Sequence, residues 1–212
     1  LYELEKPKLT DGLVAYYPFN GNANDESGNG NHGTVNGSTL AVDRNGDSGK
    51  AYSFDGENDY IDVSNLKLNE NGKYALSLWF KPSEVNHAFM QYLIDLRETS
   101  SQGKAATIAF NRNSDSKIGY LVYGPNGTTY TDLTLNKLAH NHVVVIHDST
   151  KDNVKVFING ELGYSGEIRD FISTNAPLRI GGRRQYADDV RNSSGIIDDI
   201  RIYNRALSEA EV

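Results

Sequence analysis

The sequence contains no cysteine in its 212 residues. This absence excludes disulfide bonds, thiolate metal sites and a cysteine nucleophile. Long apolar runs are also absent, since no stretch approaches the roughly 18 residues of a membrane-spanning helix. Basic residues neither dominate nor cluster, and the formal net charge is −7. Because nucleic-acid binding depends on concentrated Lys and Arg, we expect no nucleic-acid partner and no membrane insertion.

The composition that remains is that of one folded domain. Apolar residues make up 38% of the chain and aromatic residues 10%, which is enough for a hydrophobic core. No Pro- or Ser-rich linker divides the sequence, and apolar segments recur to its end. We therefore expect a lead-in over residues 1–11 and a single domain over residues 12–212. The first residues lack a signal-peptide pattern, which indicates a mature or excised segment of a longer protein.

Short apolar runs rich in Val, Ile, Tyr and Phe recur throughout the chain, separated by clusters of Gly, Asn, Asp and Ser. Examples are YALSLWF (74–80), HVVVIHD (142–148) and GIIDDIRIY (195–203). Such runs are typical of β-strands, and Asn159-Gly160 matches a two-residue hairpin turn. Helix signals are scarce, and the best of them is a capping box that begins at Ser208. The pattern predicts an all-β fold, a two-sheet antiparallel jelly-roll sandwich.

A polar loop, GNANDESGNGNHG at residues 21–33, interrupts this pattern. It has no apolar residue larger than alanine, so it cannot order itself by burying apolar surface. It is rich in oxygen atoms, which suit a hard cation such as Ca²⁺ with its roughly six to eight oxygen ligands. We predict a structural Ca²⁺ at this loop, with Asp25, Asn22 and Asn31 among its ligands.

Such a site needs a further carboxylate from elsewhere in the chain, and Asp198 in the segment GIIDDIRIY is the candidate. Strand alternation puts it on the same face as Ile196, Ile200 and Ile202. A carboxylate on an apolar face is costly unless a cation or hydrogen bonds balance it. A metal-free alternative stays open, in which Asp198 accepts backbone N–H groups of the polar loop directly.

Three segments carry a resemblance to a known family: GLVAYYPFNGNANDESGNGNHG, AYSFDGENDYIDV and the closing IDDIRIYNRALS. Together they resemble the laminin-G-like jelly-roll domains of bacterial proteins, within the concanavalin A-like lectin/glucanase superfamily, over roughly residues 12–211. The resemblance implies that the first and last strands lie close together, with Asp198 near the polar loop. It also implies a Ca²⁺ at such a position, in a non-catalytic module of a secreted or surface protein that binds polysaccharide.

Sugar binding uses aromatic faces, together with planar polar side chains that bond to the hydroxyl groups. The best candidates are Arg184 and Tyr186, in a loop of about fourteen residues before the closing strand, because long loops at sandwich ends often carry recognition. Tyr123 and Tyr130 flank the turn GPNGTT and form a second candidate edge. An ordinary surface role for each tyrosine stays open, as does a packing role for Trp79.

The acidic residues do not indicate catalysis. Glucanases of the resembling superfamily place acids at alternate positions of one strand, so that both face the cleft. The segment DGENDYID (55–62) surrounds a Gly/Asn turn instead, and we interpret it as a turn with side-chain-to-backbone hydrogen bonds. We therefore expect a non-catalytic carbohydrate-binding module, extracellular or on the cell surface, whose partners are a polysaccharide and other domains of its parent protein. An adhesion or spacer domain is the alternative, and a polysaccharide-active enzyme is less favoured.

Overall fold

The computed structural model describes residues 8–68, 72–83, 90–97, 105–111, 117–124, 127–131, 133–136, 138–167, 175–183 and 191–212. These residues form sixteen β-strands in two antiparallel sheets of eight strands each. Sheet A contains, in spatial order, β14 (Glu161–Glu167), β13 (Asn153–Ile158), β12 (Asn141–Asp148), β6 (Lys73–Pro82), β16 (Ser194–Tyr203), β4 (Ser48–Asp55) and β3 (Thr39–Val42), and β1 (Leu13–Tyr17) pairs with β16. Sheet B contains β10 (Gly127–Tyr130), β9 (Lys117–Gly124), β8 (Ala105–Asn111), β7 (Gln91–Arg97), β15 (Asn175–Ile180), β5 (Tyr60–Lys67) and β2 (Thr34–Asn36), and β11 (Leu133–Thr134) pairs with β9. The predicted all-β sandwich of two antiparallel sheets is confirmed.

The hydrophobic core lies between the two sheets, because strand alternation turns every second side chain inward. Leu78 and Ile202 of sheet A and Ile61 of sheet B are almost or completely buried. Phe80 of β6 and Phe110 of β8 meet edge to face, with ring centroids 5.5 Å apart, and so connect the two layers. Each such side chain stabilises the fold by about 1.5–3 kcal/mol when it is fully buried.

The first and last strands pair directly, with Tyr17 of β1 opposite Ile200 of β16. β16 also pairs with β6 along its other side, and with β4 through its first residues. The predicted closeness of the two ends of the domain is therefore confirmed, and β16 occupies the middle of sheet A.

Two local signals in the sequence are also confirmed. Asn159 and Gly160 join β13 to β14 with positive φ angles of 53° and 83°. The Ser208 backbone N–H donates a hydrogen bond to the Glu211 carboxylate at 2.8 Å, which forms the capping box. The helix that follows is a single 3₁₀ turn, Glu209–Glu211, like the other short helix at Ser149–Lys151. Across the described ranges, no helix combines the length and apolar character needed to cross a bilayer.

A β-bulge in β16 changes the faces of the Asp198-Asp199 pair. Asp199 has a positive φ of 47°, and the register with β6 shifts after Asp198. Ile197, Ile200 and Ile202 all lie in the core, so the inward alternation skips one residue at the bulge. The prediction that Asp198 shares the apolar face with Ile200 and Ile202 is therefore wrong, because the extra residue of the bulge reverses the alternation.

Candidate functional site

The polar loop is held in shape by the carboxylate of Asp25. This side chain accepts hydrogen bonds from the backbone N–H groups of Tyr16, Ser27 and Asn31, each at 2.9 Å. Burial tends to raise the pKa of the Asp25 carboxyl, but the hydrogen bonds from Ser27, Tyr16 and Asn31 outweigh it and leave the pKa below its usual value. Asp25 is only 6% exposed. The carboxylate therefore fastens the loop to β1 without help from the far end of the chain.

The other two predicted loop ligands also form hydrogen bonds with backbone groups. The Asn22 side-chain oxygen accepts the Asn24 N–H at 2.8 Å, and its amide nitrogen donates to the Asn20 carbonyl. The Asn31 side-chain amide donates to the Val14 carbonyl at 2.8 Å. These hydrogen bonds between asparagine side chains and backbone groups stabilise the polar loop.

Asp198 has a different partner, Arg44, in the loop between β3 and β4. The guanidinium of Arg44 contacts Asp198 at 2.5 Å and Asp199 at 2.8 Å. Burial raises the pKa of the Asp198 carboxyl, although the Arg44 cation acts to lower it. Asp199 also contacts Arg201, at 3.1 Å. Asp25 and Asp198 therefore have separate partners.

These neighbours fit a shared calcium ion poorly. The Asp25 oxygens face N–H donors, and the Asp198 oxygens face a guanidinium, whereas Ca²⁺ requires open oxygen ligands. Among the described residues, no group of three or more His, Asp or Glu is placed to hold a metal ion. The calcium site formed by Asp25, Asn22, Asn31 and Asp198 stays a prediction, and the amide contacts alone account for the order of the polar loop.

Trp79 packs on the outer face of sheet A. His142 of β12 stacks on its ring with centroids 4.8 Å apart and an interplanar angle of 16°. The Arg44 guanidinium lies 4.9 Å from the same ring, and Ser77 Oγ lies 2.9 Å from His142 Nε2. His142 belongs to β12, on one side of β6, and Arg44 is held by Asp198 of β16, on the other side. The indole ring is therefore contacted from two directions. This arrangement favours the packing interpretation of Trp79 over a platform for sugar.

An open depression lies on the outer face of sheet A, where β4, β16 and β6 run side by side. Two rows of side chains across the strands form it, namely Ser53–Ile196–Lys81 and Asp55–Ser194–Ser83. We call it the serine depression. Its volume is about 440 Å³, within the range of about 300–1,000 Å³ that is usual for small-molecule sites. Gly195 lets β16 approach β6 here, since a Cβ would collide with the Lys81 carbonyl oxygen.

The serine depression presents donors and acceptors whose positions are fixed by the sheet. Asp55 Oδ1 accepts the N–H groups of Glu57 at 2.8 Å and Asn58 at 3.2 Å, so the predicted hydrogen-bonded turn is confirmed. These bonds hold the carboxylate at the rim of the depression. Lys81 is half-buried and forms no salt bridge within the described part of the chain.

The four predicted sugar-binding residues stay predictions. Arg184 and Tyr186 lie outside the described residues. Tyr123 and Tyr130 belong to β9 and β10, at the edge of sheet B, where they pair with Thr128 and Leu121. The loop that carries Arg184 and Tyr186 does end at β16, whose first residue, Ser194, lines the depression.

Sequence reasoning missed the residues of the serine depression. The alternation along each strand does put Ser53 with Asp55, and Lys81 with Ser83, on one face. The alternation does not reveal that β4 and β6 both pair with β16. β4 and β6 are separated from each other in the sequence by β5. The missing information was the order of the strands.

An all-β sandwich with paired first and last strands and a polar depression on one outer face is a jelly-roll domain of the lectin type. A family model for laminin G-like domains, described as the concanavalin A-like lectin/glucanases superfamily, matches residues 55–212. The chain belongs to this family. A comparison with curated protein sequences found no match.

Solved structures share the fold at low sequence identity. Domain 4 of AbnA, an extracellular GH43 arabinanase from Geobacillus stearothermophilus solved with arabinotriose, is 23% identical with a TM-score of 0.71, over 94% of this chain and 95% of that one. The botulinum neurotoxin serotype D binding domain is 20% identical with a TM-score of 0.70, over 95% of this chain and 50% of that one. A botulinum neurotoxin type C structure, described as depending on two ganglioside molecules for cell entry, is 16% identical with a TM-score of 0.69, over 95% of this chain and 50% of that one. The chain thus spans about half of the toxin domains, and these likenesses concern the fold.

Proposed function

We propose that this protein is a non-catalytic carbohydrate-binding module of a secreted or cell-surface protein, and that it holds its glycan in the serine depression. The observation that carries the proposal is the depression itself, with an ammonium group, a carboxylate and three serine hydroxyls around one opening. Sugar hydroxyls both donate and accept hydrogen bonds, so they need both kinds of partner. Fold relatives that bind arabinotriose and gangliosides support the same class of ligand.

Each side chain has a role in this proposal. Lys81 donates to a sugar hydroxyl, and Asp55 accepts from one through the oxygen that the turn does not use. Ser53 and Ser194 contribute hydroxyls that rotate to either role. Ile196 offers an apolar surface to the C–H face of the ring. A hydrogen bond to a charged group contributes about 1.5–3 kcal/mol, so these contacts supply binding in the micromolar to millimolar range that is typical of weak modules.

The acidic residues of sheet B support a non-catalytic role. Asp62 is held by Arg179 through two contacts, at 2.8 and 2.9 Å. Asp95 is fully buried and contacts Arg97 at 3.1 Å. Both carboxylates are thus engaged in ion pairs with arginine, whereas glycoside hydrolysis needs a pair of carboxyl groups that flank the scissile bond of the sugar.

Replacing Lys81 by methionine tests the proposal. The change keeps the length of the side chain and removes the ammonium donor, so we expect about tenfold weaker binding to the polysaccharide that the wild type retains. Affinity electrophoresis against arabinan, arabinoxylan, mixed-linkage β-glucan, galactomannan and polygalacturonate measures it. Lys151→Met is the matched control, because the Lys151 side chain is 76% exposed and lies outside the depression.

Two outcomes would contradict the proposal. Retention by none of these polysaccharides would favour the adhesion or spacer alternative. Release of reducing sugars from any of them would show an enzyme.

Calcium has its own test. Since N–H donors already surround the Asp25 carboxylate, we expect the melting temperature to be the same, within about 1 °C, in EDTA and in millimolar CaCl₂; a bound ion at saturating concentration would raise it by several degrees. A lower melting temperature in EDTA that Asp25→Ala abolishes would instead establish the ion at the polar loop.

A further inference from the structure

Among the described residues that line the serine depression, the charges cancel. Lys81 is the cation, Asp55 is the anion, and the other described side chains of the lining are uncharged. A ligand that enters the depression therefore meets a positive and a negative group at the same opening. A site built for carboxylate or sulfate groups would show an excess of positive charge, usually with arginine.

Arg44, on the same outer face of sheet A, is already neutralised. Arg44 lies over Trp79, next along the outer face from Lys81. Its guanidinium is bound by the carboxylates of Asp198 and Asp199, at 2.5 and 2.8 Å. Turning it toward a ligand would take the cation away from the buried Asp198 carboxylate and leave Asp199 with Arg201 alone. Arg44 therefore does not add a positive charge to the depression.

His140, whose pKa is lowered by burial and by Lys81, adds no charge at neutral pH either. His140 precedes β12, beside Lys81 of β6, since the next residue, Asn141, pairs with Phe80. Burial and the nearby Lys81 cation keep the pKa of His140 below its usual value. Its Nε2 atom is buried and has no hydrogen-bond partner within the described ranges. This nitrogen is therefore a neutral polar group beside Lys81.

From this balance we infer that the serine depression binds neutral sugar units and disfavours uronate or sulfated ones. The inference rests on the proposed function and specifies its ligand class. An anionic sugar placed against Lys81 also faces the Asp55 carboxylate, which is fixed by its turn and cannot withdraw. A neutral sugar uses both groups, one as donor and one as acceptor.

A matched pair of polysaccharides tests the inference. Fully methyl-esterified homogalacturonan and its de-esterified form share one backbone and differ in charge, and the neutral arabinan, arabinoxylan, β-glucan and galactomannan extend the comparison. We expect retention by at least one neutral polysaccharide, and binding of the esterified form at least about tenfold tighter than of the acidic form. Between about 50 and 500 mM NaCl the neutral affinity should change less than about twofold, because no net charge is neutralised.

Asp55→Asn adds a charge-reversal test in the same protein. Asparagine keeps an oxygen for the turn but gives the depression a net positive charge, so we expect neutral binding to weaken and binding of de-esterified homogalacturonan to rise at least about fivefold. A melting curve and the elution volume of the variant verify that it is folded.

The outcomes separate the two proposals. Preferential, salt-sensitive binding of an acidic polysaccharide that Lys81→Met abolishes would overturn the neutral-sugar inference while leaving carbohydrate binding intact. An unchanged preference in Asp55→Asn would likewise overturn it, since the carboxylate would then not govern selection. Retention by no polysaccharide, neutral or acidic, would overturn carbohydrate binding itself.

Discussion

Replacing Arg44 by methionine is expected to destabilise the protein by about 3–5 kcal/mol at pH 7, because removing one partner of a buried ion pair leaves uncompensated charge. Two carboxylates depend on this guanidinium, and the Asp198 and Asp199 side chains are only 2% and 7% exposed. Methionine keeps an unbranched apolar side chain at this position and removes the guanidinium, which is both the ion-pair partner and the group that lies over Trp79. Urea unfolding followed by Trp79 fluorescence measures it.

The destabilisation in Arg44→Met should shrink as the pH falls. Burial already raises the pKa of the Asp198 carboxyl, and removing Arg44 takes away the cation that lowers it. A carboxyl whose pKa is higher in the folded than in the unfolded state binds more protons when folded, so protonation stabilises the fold. We therefore expect the gap between variant and wild type to be smaller at pH 5 than at pH 7.

Two further variants control this prediction. Adding Asp198→Asn to Arg44→Met should restore part of the stability at pH 7, with a coupling of about 0.5–3 kcal/mol. Lys155→Met breaks an exposed ion pair with Glu209, whose side chains are 35% and 63% exposed, and should cost less than about 1 kcal/mol. An Arg44 variant as stable as the Lys155 variant would show that the bulge carboxylates are not buried as described.

Asp25→Asn is expected to lower the free energy of unfolding by about 2–4 kcal/mol, since a charged acceptor of three backbone N–H groups becomes a neutral one that also turns N–H donors toward them. Hydrogen exchange gives a local measurement, because the amides of Tyr16, Ser27 and Asn31 should lose protection together.

The control for this change is Asp11→Asn, at an exposed position in the same part of the chain. It should alter stability by less than about 0.5 kcal/mol. If Asp25→Asn behaved like Asp11→Asn, the polar loop would owe its shape to something other than this carboxylate.

Local features of this fold could be predicted because their causes lie close together in the sequence. The Asn159-Gly160 turn depends on two residues that tolerate positive φ, and the capping box on Ser208 and Glu211 alone. The turn around Asp55 is equally local. In each of these elements, the residues that determine the local conformation lie only a few positions apart in the sequence.

The features that escaped prediction depend on distant pairings. The bulge at Asp199 needs a positive φ in a residue other than glycine. No pattern in the sequence indicates such a conformation. The bulge turns Asp198 outward, to Arg44, a partner 154 residues away. The serine depression likewise exists only because β4 and β6 flank β16. The alternation along a strand predicts which side chains share a face, but not which strands lie next to each other.

The central position of β16 has a consequence for the order in which the chain folds. β16 is the last strand made, yet it joins β6 on one side to β4 and β1 on the other. Until β16 has been made, the described strands of sheet A therefore form three unjoined parts: β6 with β12, β13 and β14; β3 with β4; and β1 alone. Such long-range closure is slow and exposes unpaired strand edges to other nascent chains.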